Sequence, residues 1–268
     1  MKIDYKIVDL APEHEETYCM CLEEWSDEMK EAGNHKQLWY GKMKEQGLGV
    51  KLAQDERGTI GGMIQYIPAD FWFEEADDLN FILCIWVHGY EEGRGNFQKK
   101  GMGTALLEAA EEDTKAEGKK GIAAWGISLP FWMRAAWFKK HGYKKIDKNG
   151  MQVLLWKPFT DEAIPPKLVK RKKAPATQPN KVTVTGFIHG WCPAQNLAYE
   201  RAKRAAAEFG DAVEFQSYNT FDKEIMLEWG IVDGLFIDGK QVSTGPPPSY
   251  VKMRKLIEKR VRKLPEKK

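Results

Sequence analysis

The segment Gln98-Lys99-Lys100-Gly101-Met102-Gly103-Thr104-Ala105-Leu106-Leu107 has the residue types and spacing of an anion cradle. It follows the apolar run Phe81-Ile82-Leu83-Cys84-Ile85-Trp86-Val87 and opens a helical stretch that continues through Glu111. The first N–H groups of a helix have no intrahelical partner, and the helix dipole favours negative charge beside them. Glycine at 101 and 103 lets the backbone approach a ligand with no Cβ in the way. A pyrophosphate fits such a turn. An ordinary glycine turn before an amphipathic helix has the same local pattern, so the surrounding segments must separate the two.

Rival phosphate motifs fit poorly. A dinucleotide turn carries G-x-G-x-x-G after its first strand, with an acidic residue about 20 positions later. Here Leu106 stands at the third glycine, and the motif lies far into the chain. A P-loop places lysine after its last glycine; Gly103 is followed by Thr104-Ala105. What remains resembles the Q/R-x-x-G-x-G/A signature of the GNAT superfamily of N-acetyltransferases, which holds the pyrophosphate of acetyl-CoA. The resemblance implies an acetyl-CoA site at Trp86, Val87, Gln98, Lys99, Lys100, Gly101, Met102, Gly103, Thr104 and Phe138.

Composition sets outer limits. With 268 residues the chain exceeds a typical single domain, so two are expected. No stretch approaches the roughly 18 apolar residues of a membrane span. Met1-Lys2-Ile3-Asp4 reads as the edge of a polar strand, not a secretion leader. Cys19, Cys21, Cys84 and Cys192 lack disulfide-framework or zinc spacing, and His14, His35, His88, His141 and His189 are dispersed. A reduced, cytoplasmic setting without a bound metal is expected. A net charge of +2 gives no argument for nucleic acid.

The chain divides at a Pro/Lys-rich stretch, 159–180, which includes Pro165-Pro166 and the run Lys170-Arg171-Lys172-Lys173. It reads as a semi-extended linker with a solvated basic run. Residues 1–158 form the expected first domain, an α/β (α+β) fold around a central mixed sheet. Its strands are expected at 4–10, 50–54, 61–67, 79–87, 121–127, 143–147 and 151–156. Helical material should fill 12–46, follow the glycine loop, and span 131–141. That order is the one the resemblance implies.

A second match is Trp137-Phe138-Lys139-Lys140-His141-Gly142-Tyr143, similar to the family's Φ-Y-x-K-x-G-F segment. Gly142 suits a left-handed C-cap, with cations complementing the helix end. The chain also departs from the family. Phe138 stands where a tyrosine often protonates the departing thiolate, and the usual asparagine would fall near Phe131. The loop His88–Phe97 is longer than usual.

The implied chemistry is direct attack by an amine on the acetyl thioester, with strand N–H groups near Trp86 and Val87 facing the growing oxyanion. A thiol of pKa about 8.5 leaves tolerably without a dedicated acid. Candidate bases are Glu24, Asp27, His88 and Glu91, each also readable as a solvated surface charge, and a base acting through water stays open. Cys84 reads as a small core residue.

From Lys181 the pattern restarts: a strand at 182–188, Trp191-Cys192-Pro193-Ala194-Gln195 opening a helix at 196–209, a strand at 212–217, a helix near 220–228, hairpin strands at 234–237 and 241–244, and a last helix at 249–263. This order resembles a thioredoxin-like domain spanning 181–268. Gln195 replaces the second redox cysteine, and no proline stands at Asp233-Gly234, so disulfide exchange is not expected. Cys192 remains a possible thiol site. The combination resembles GNAT proteins carrying a YoaP-type C-terminal domain, also in the segments Trp39-Tyr40, Pro130-Phe131-Trp132-Met133 and Gly245-Pro246-Pro247-Pro248-Ser249-Tyr250. The expected partners are acetyl-CoA and an amine-bearing small molecule or peptide, with no membrane. The alternatives are a non-catalytic acyl-CoA sensor and a thiol-redox protein using Cys192.

Overall fold

The computed structural model describes residues 4–73, 76–129, 132–242 and 246–265. The chain forms two compact units: residues 1–25 with 41–169, and residues 26–40 with 170–268.

The first unit is built on a seven-stranded mixed sheet. Its strands are β1 (Tyr5–Asp9), β2 (Gly49–Asp55), β3 (Ile60–Pro68), β4 (Leu79–Val87), β5 (Gly121–Ile127), β6 (Lys144–Asn149) and β7 (Gln152–Pro158). They lie in the order β1-β2-β3-β4-β5-β7-β6. Only β4 and β5 run parallel, because the long helix α4 (Met102–Ala116) carries the chain across between them. Strand β3 and the first seven residues of β4 are almost wholly buried, which explains their mainly apolar character; the buried Gln65 and Asn80 are hydrogen-bonded, to Tyr18 at 2.6 Å and Thr114 at 3.1 Å. Helix α4 lays Met102, Leu106, Leu107 and Ala110 against Ile64, Ile82 and Ile122, the apolar stripe its spacing demands. Its two buried polar residues are paired: Thr114 accepts from Asn80 at 3.1 Å, and Glu111 meets Lys157 at 2.6 Å.

The expected helical stretch 12–46 is broken into a 3-10 turn, α1 (Glu15–Cys19), α2 (Asp27–Lys30) and α3 (His35–Met43). Residues 26–40 belong to the second unit, whereas the sequence reading put all of 1–158 in one domain. Charge pairing explains the difference. Arg201 on α6 (Pro193–Ala207) is 3% exposed and donates to Glu28 at 2.5 Å and Glu31 at 3.4 Å. His35 meets Glu200 at 2.7 Å, and the buried Trp39 ring lies 6.4 Å from that of His189. A buried guanidinium without carboxylates is costly, so these acids are held where the arginine is.

The helix expected at 131–141 is α5 (Ala135–Lys140), shorter because Arg134 is extended and bridges Ile127. The expectation at Phe131 lies outside the described residues, as do Pro130, Ser243, Thr244 and Gly245.

The second unit has a four-stranded sheet in the order β11-β10-β8-β9. It comprises β8 (Val182–Ile188), β9 (Val213–Asn219), β10 (Gly234–Ile237) and the short β11 (Lys240–Gln241). Strands β8 and β9 are parallel; β10 runs antiparallel to β8. Alternation along β8 sends Val184 to a core with Ala202, Met253 and Ile257, and Phe187 to one with Trp229, Ile231 and Phe236. Helices α7 (Lys223–Trp229) and α8 (Tyr250–Val261) complete the unit.

The basic run is not simply solvated. The backbone N–H of Lys172 donates to Trp229 at 2.9 Å, Lys173 pairs with Glu228, and its ammonium sits 4.1 Å from the Trp229 ring centre. The carbonyls at the end of α7 draw these cations in.

Candidate active site

Strand β4 continues five residues beyond its pairing with β5. The parallel register runs from Leu79–Gly121 to Ile82–Ala124 and then stops, although β4 extends to Val87 and β5 to Ile127. The strands splay, and a cleft of about 660 Å³ opens along the unpaired part of β4 toward the start of α4.

Alternation fixes which backbone groups face the splay. His88 N–H donates to Gly61 of β3, so even-numbered residues here turn toward β3. Odd-numbered residues turn toward β5, as the carbonyls show: Leu83 accepts from Trp125 Nε1 at 2.7 Å, Ile85 from Trp132 Nε1 at 3.1 Å, and Val87 from Gln98 Nε2 at 3.5 Å. A strand residue presents N–H and C=O on the same edge. The amides of Ile85 and Val87 therefore face the splay.

The far end of the cleft is the N-terminus of α4. Its N-cap, Gly101, has φ +89 and provides no side-chain cap, and the first intrahelical bond is Ala105 N–H to Gly101. The N–H groups of Met102, Gly103 and Thr104 thus precede the ladder, with no acid in the first turn. Lys99, at φ +62, also adopts the left-handed conformation, so the turn curls around its amides as an anion-binding nest does. A Cβ on Gly103 would lie 3.6 Å from Trp137 and 3.8 Å from Val87. The bare backbone of Gly103 keeps that part of the cleft open.

Of the sequence-derived cofactor residues, Trp86, Val87, Gln98, Lys99, Gly101, Met102, Gly103 and Thr104 line the cleft. Two do not. Phe138 is fully buried, ring to ring with Trp137 at 5.0 Å and Tyr143 at 5.3 Å, because its helical position faces the core. Trp137, one residue earlier, forms the wall instead. Lys100 turns back, donating to the Asn96 carbonyl with its ammonium 5.3 Å from the Phe97 ring centre.

None of the candidate bases is among the lining residues. Glu24 is held by Arg94, which also donates to Thr17 at 2.9 Å and Ile60 at 3.3 Å. Asp27 is exposed in the second unit and pairs with Lys30 at 2.7 Å; that hydrogen bond keeps its pKa below the usual value. His88 is sealed: Nδ1 donates to Gly95 at 2.8 Å, and buried Nε2 has no partner among the described residues. Glu91 is exposed on the loop. In the second unit, Cys192 is 8% exposed and N-caps α6.

Sequence reasoning missed Ile85, Phe97, Trp132, Met133, Arg134 and Trp137 as lining residues. Only the alternation of β4 pointed to Ile85. Trp132 and Arg134 sit on irregular backbone with no periodicity to read, Met133 having φ +53.

No family model and no curated protein matches the chain. Solved structures do. A GNAT-family acetyltransferase from Staphylococcus aureus Mu50 is similar at 14% identity, covering 59% of this chain and all of that one, with a TM-score of 0.44. PaiA N-acetyltransferase from Thermoplasma acidophilum, in complex with coenzyme A, is 16% identical over 59% of this chain and 100% of its own, with a TM-score of 0.43. A GNAT-family acetyltransferase from Brucella melitensis, in complex with acetyl-CoA, is 12% identical over 61% and 94%, with a TM-score of 0.41.

Proposed function

We propose that the first unit is a GNAT-type N-acetyltransferase that takes acetyl-CoA and transfers the acetyl group to an amine. The observation that carries this reading is the splay of β4 from β5 after Ile82, opening directly onto the uncapped N-terminus of α4. The residues fit the cofactor: the amides of Met102, Gly103 and Thr104 suit a diphosphate, and Lys99 and Arg134 add positive charge to the lining.

Coenzyme A supplies an activated acyl thioester. The chain's own part is to hold it and to meet charge. The Ile85 and Val87 amides, facing the splay, would serve as donors to a thioester oxyanion, and fixed donors lower that barrier without reorganising. Trp86, Trp132 and Trp137 exclude water from the cleft walls. The acceptor amine enters neutral or loses its proton through water, which accords with the placement of Glu24, Asp27, His88 and Glu91 outside the lining.

That placement, with Phe138 buried, also favours a second reading: an acyl-CoA sensor without turnover. Release of free CoA thiol with an amine panel separates the two, since a sensor releases none. Calorimetric titration with acetyl-CoA tests what they share. Gly103→Trp should abolish binding, and unchanged affinity would mean the cradle is elsewhere.

For the second unit, the order β8-α6-β9-α7-β10-β11-α8 supports a thioredoxin-like reading. With Gln195 in the second cysteine position, its role is structural or in binding. No helix among the described residues is long and apolar enough to cross a membrane. A cytoplasmic location remains part of this proposal.

A further inference from the structure

The vertex of the splay, where β4 parts from β5, is plugged. Trp125 projects from β5 and donates its indole N–H to Leu83 at 2.7 Å; Trp132 donates to Ile85 at 3.1 Å. The two rings meet edge to face with centroids 5.1 Å apart. They occupy the place that continued β4–β5 pairing would have filled, and they satisfy the carbonyls which that pairing would have satisfied. Trp132 also packs against the core beneath α4, as does Met133 beside it, buried to 4%.

Rings fixed this way do not move aside cheaply. Turning Trp132 out would leave the Ile85 carbonyl unpaired and break the contact with Trp125. Trp132 lines the cleft together with the first turn of α4, Val87, Trp86 and Ile85.

We propose that Trp132, braced by Trp125, sets the acyl-chain limit of this site, so that the donor it accepts is a short-chain acyl-CoA and medium chains are excluded. The inference rests on the acetyl-CoA reading of the cleft and deepens it. An acyl group whose thioester oxygen lies at the Ile85 and Val87 amides points its chain toward the plug. A two-carbon chain fits short of it; each further methylene must displace a ring held by a hydrogen bond. Rejection of an oversized chain by a stiff wall is an overpacking effect, and pocket size of this kind discriminates by about 10- to 200-fold per group.

The test is equilibrium binding to the full chain by calorimetry, using CoA, acetyl-CoA and octanoyl-CoA, with wild type, Trp132→Ala and Trp132→Phe. Wild type should bind octanoyl-CoA at least about tenfold more weakly than acetyl-CoA. Trp132→Ala should close or reverse that gap, whatever its effect on acetyl-CoA affinity itself. Trp132→Phe, which keeps a smaller ring and loses the N–H that fixes it, should narrow the gap, and it serves if the alanine variant does not fold. Equal affinities of wild type for the two chain lengths would overturn the proposal. So would a gap that persists in the alanine variant. Failure of all three ligands to bind wild type would overturn the acetyl-CoA reading itself, a different outcome from loss of chain-length selectivity alone.

Discussion

The Thr104 hydroxyl lies 3.1 Å from Nε2 of His141, tying the first turn of α4 to the end of α5. Nδ1 of His141 donates to the Trp137 carbonyl at 2.9 Å, so Nε2 is left to accept from the threonine. The His141 and Trp137 ring centres are 4.2 Å apart. One hydroxyl therefore links the first turn of α4 to the tryptophan wall. Thr104→Val should lower stability by about 1 kcal/mol and weaken acetyl-CoA binding about three- to tenfold, with Thr104→Ser close to wild type. Calorimetry and thermal unfolding give both numbers. Wild-type binding by the valine variant would show that the link is irrelevant to the cradle.

Glu24 is paired with Arg94 in this geometry. Arg94 grips it while also binding Thr17 and Ile60, which anchors the loop from His88 to Phe97. Glu24→Gln should leave turnover within about threefold, whereas loss of a general base costs about 100-fold or more. Arg94→Ala should destabilise by about 2–4 kcal/mol, because Glu24 is left half-buried and unpaired. A collapse of kcat in Glu24→Gln, with stability unchanged, would reinstate it as the base.

Two buried groups of the second unit oppose each other in pH. Asp233 accepts from the His189 backbone N–H at 3.1 Å and from Trp191 Nε1 at 2.6 Å, yet burial of its carboxyl outweighs both and raises its pKa from 3.8 to about 6. Between those values the folded state holds the extra proton, so its contribution to stability falls as pH rises through that window. Burial pulls His189 from 6.5 down to about 3; there the unfolded chain takes the proton first, and stability falls as pH drops below 6.5. In Asp233→Asn the urea midpoint should therefore climb with pH from 4 to 6.5, by about 1–3 kcal/mol of stability. In His189→Gln it should decline toward pH 6. Parallel profiles in the two variants would contradict the assignment.

Gly230 closes α7 at φ +65, where a Cβ would fall 2.0 Å from the Lys170 carbonyl oxygen. Gly230→Ala combines left-handed strain with a backbone clash and should cost more than about 3 kcal/mol. Gly210, at φ +51 with nothing within 4 Å, is the control: Gly210→Ala should cost only about 1–2 kcal/mol. Equal losses in chemical denaturation would mean the chain at Lys170 moves aside freely.

The amino-acid sequence determined the elements whose periodicity is local and strong. The runs 79–87, 121–127 and 182–188 are strands at the predicted residues, because each is largely buried on both faces and carries few polar side chains. The glycine turn before Met102 was equally legible, since a helix entered through left-handed backbone, as at Gly101 with φ +89, favours glycine. Tertiary structure alone decided the rest. That Phe138 is core and Trp137 wall depends on which way a six-residue helix is rotated, and flanking residues do not record that angle. Glu24 became an arginine partner, and residues 26–40 joined the second unit, because a buried guanidinium must find carboxylates wherever the chain brings them. The plug of Trp125 and Trp132 came from two carbonyls left bare by a splay, and unmet hydrogen bonds exist only once strands have been placed side by side.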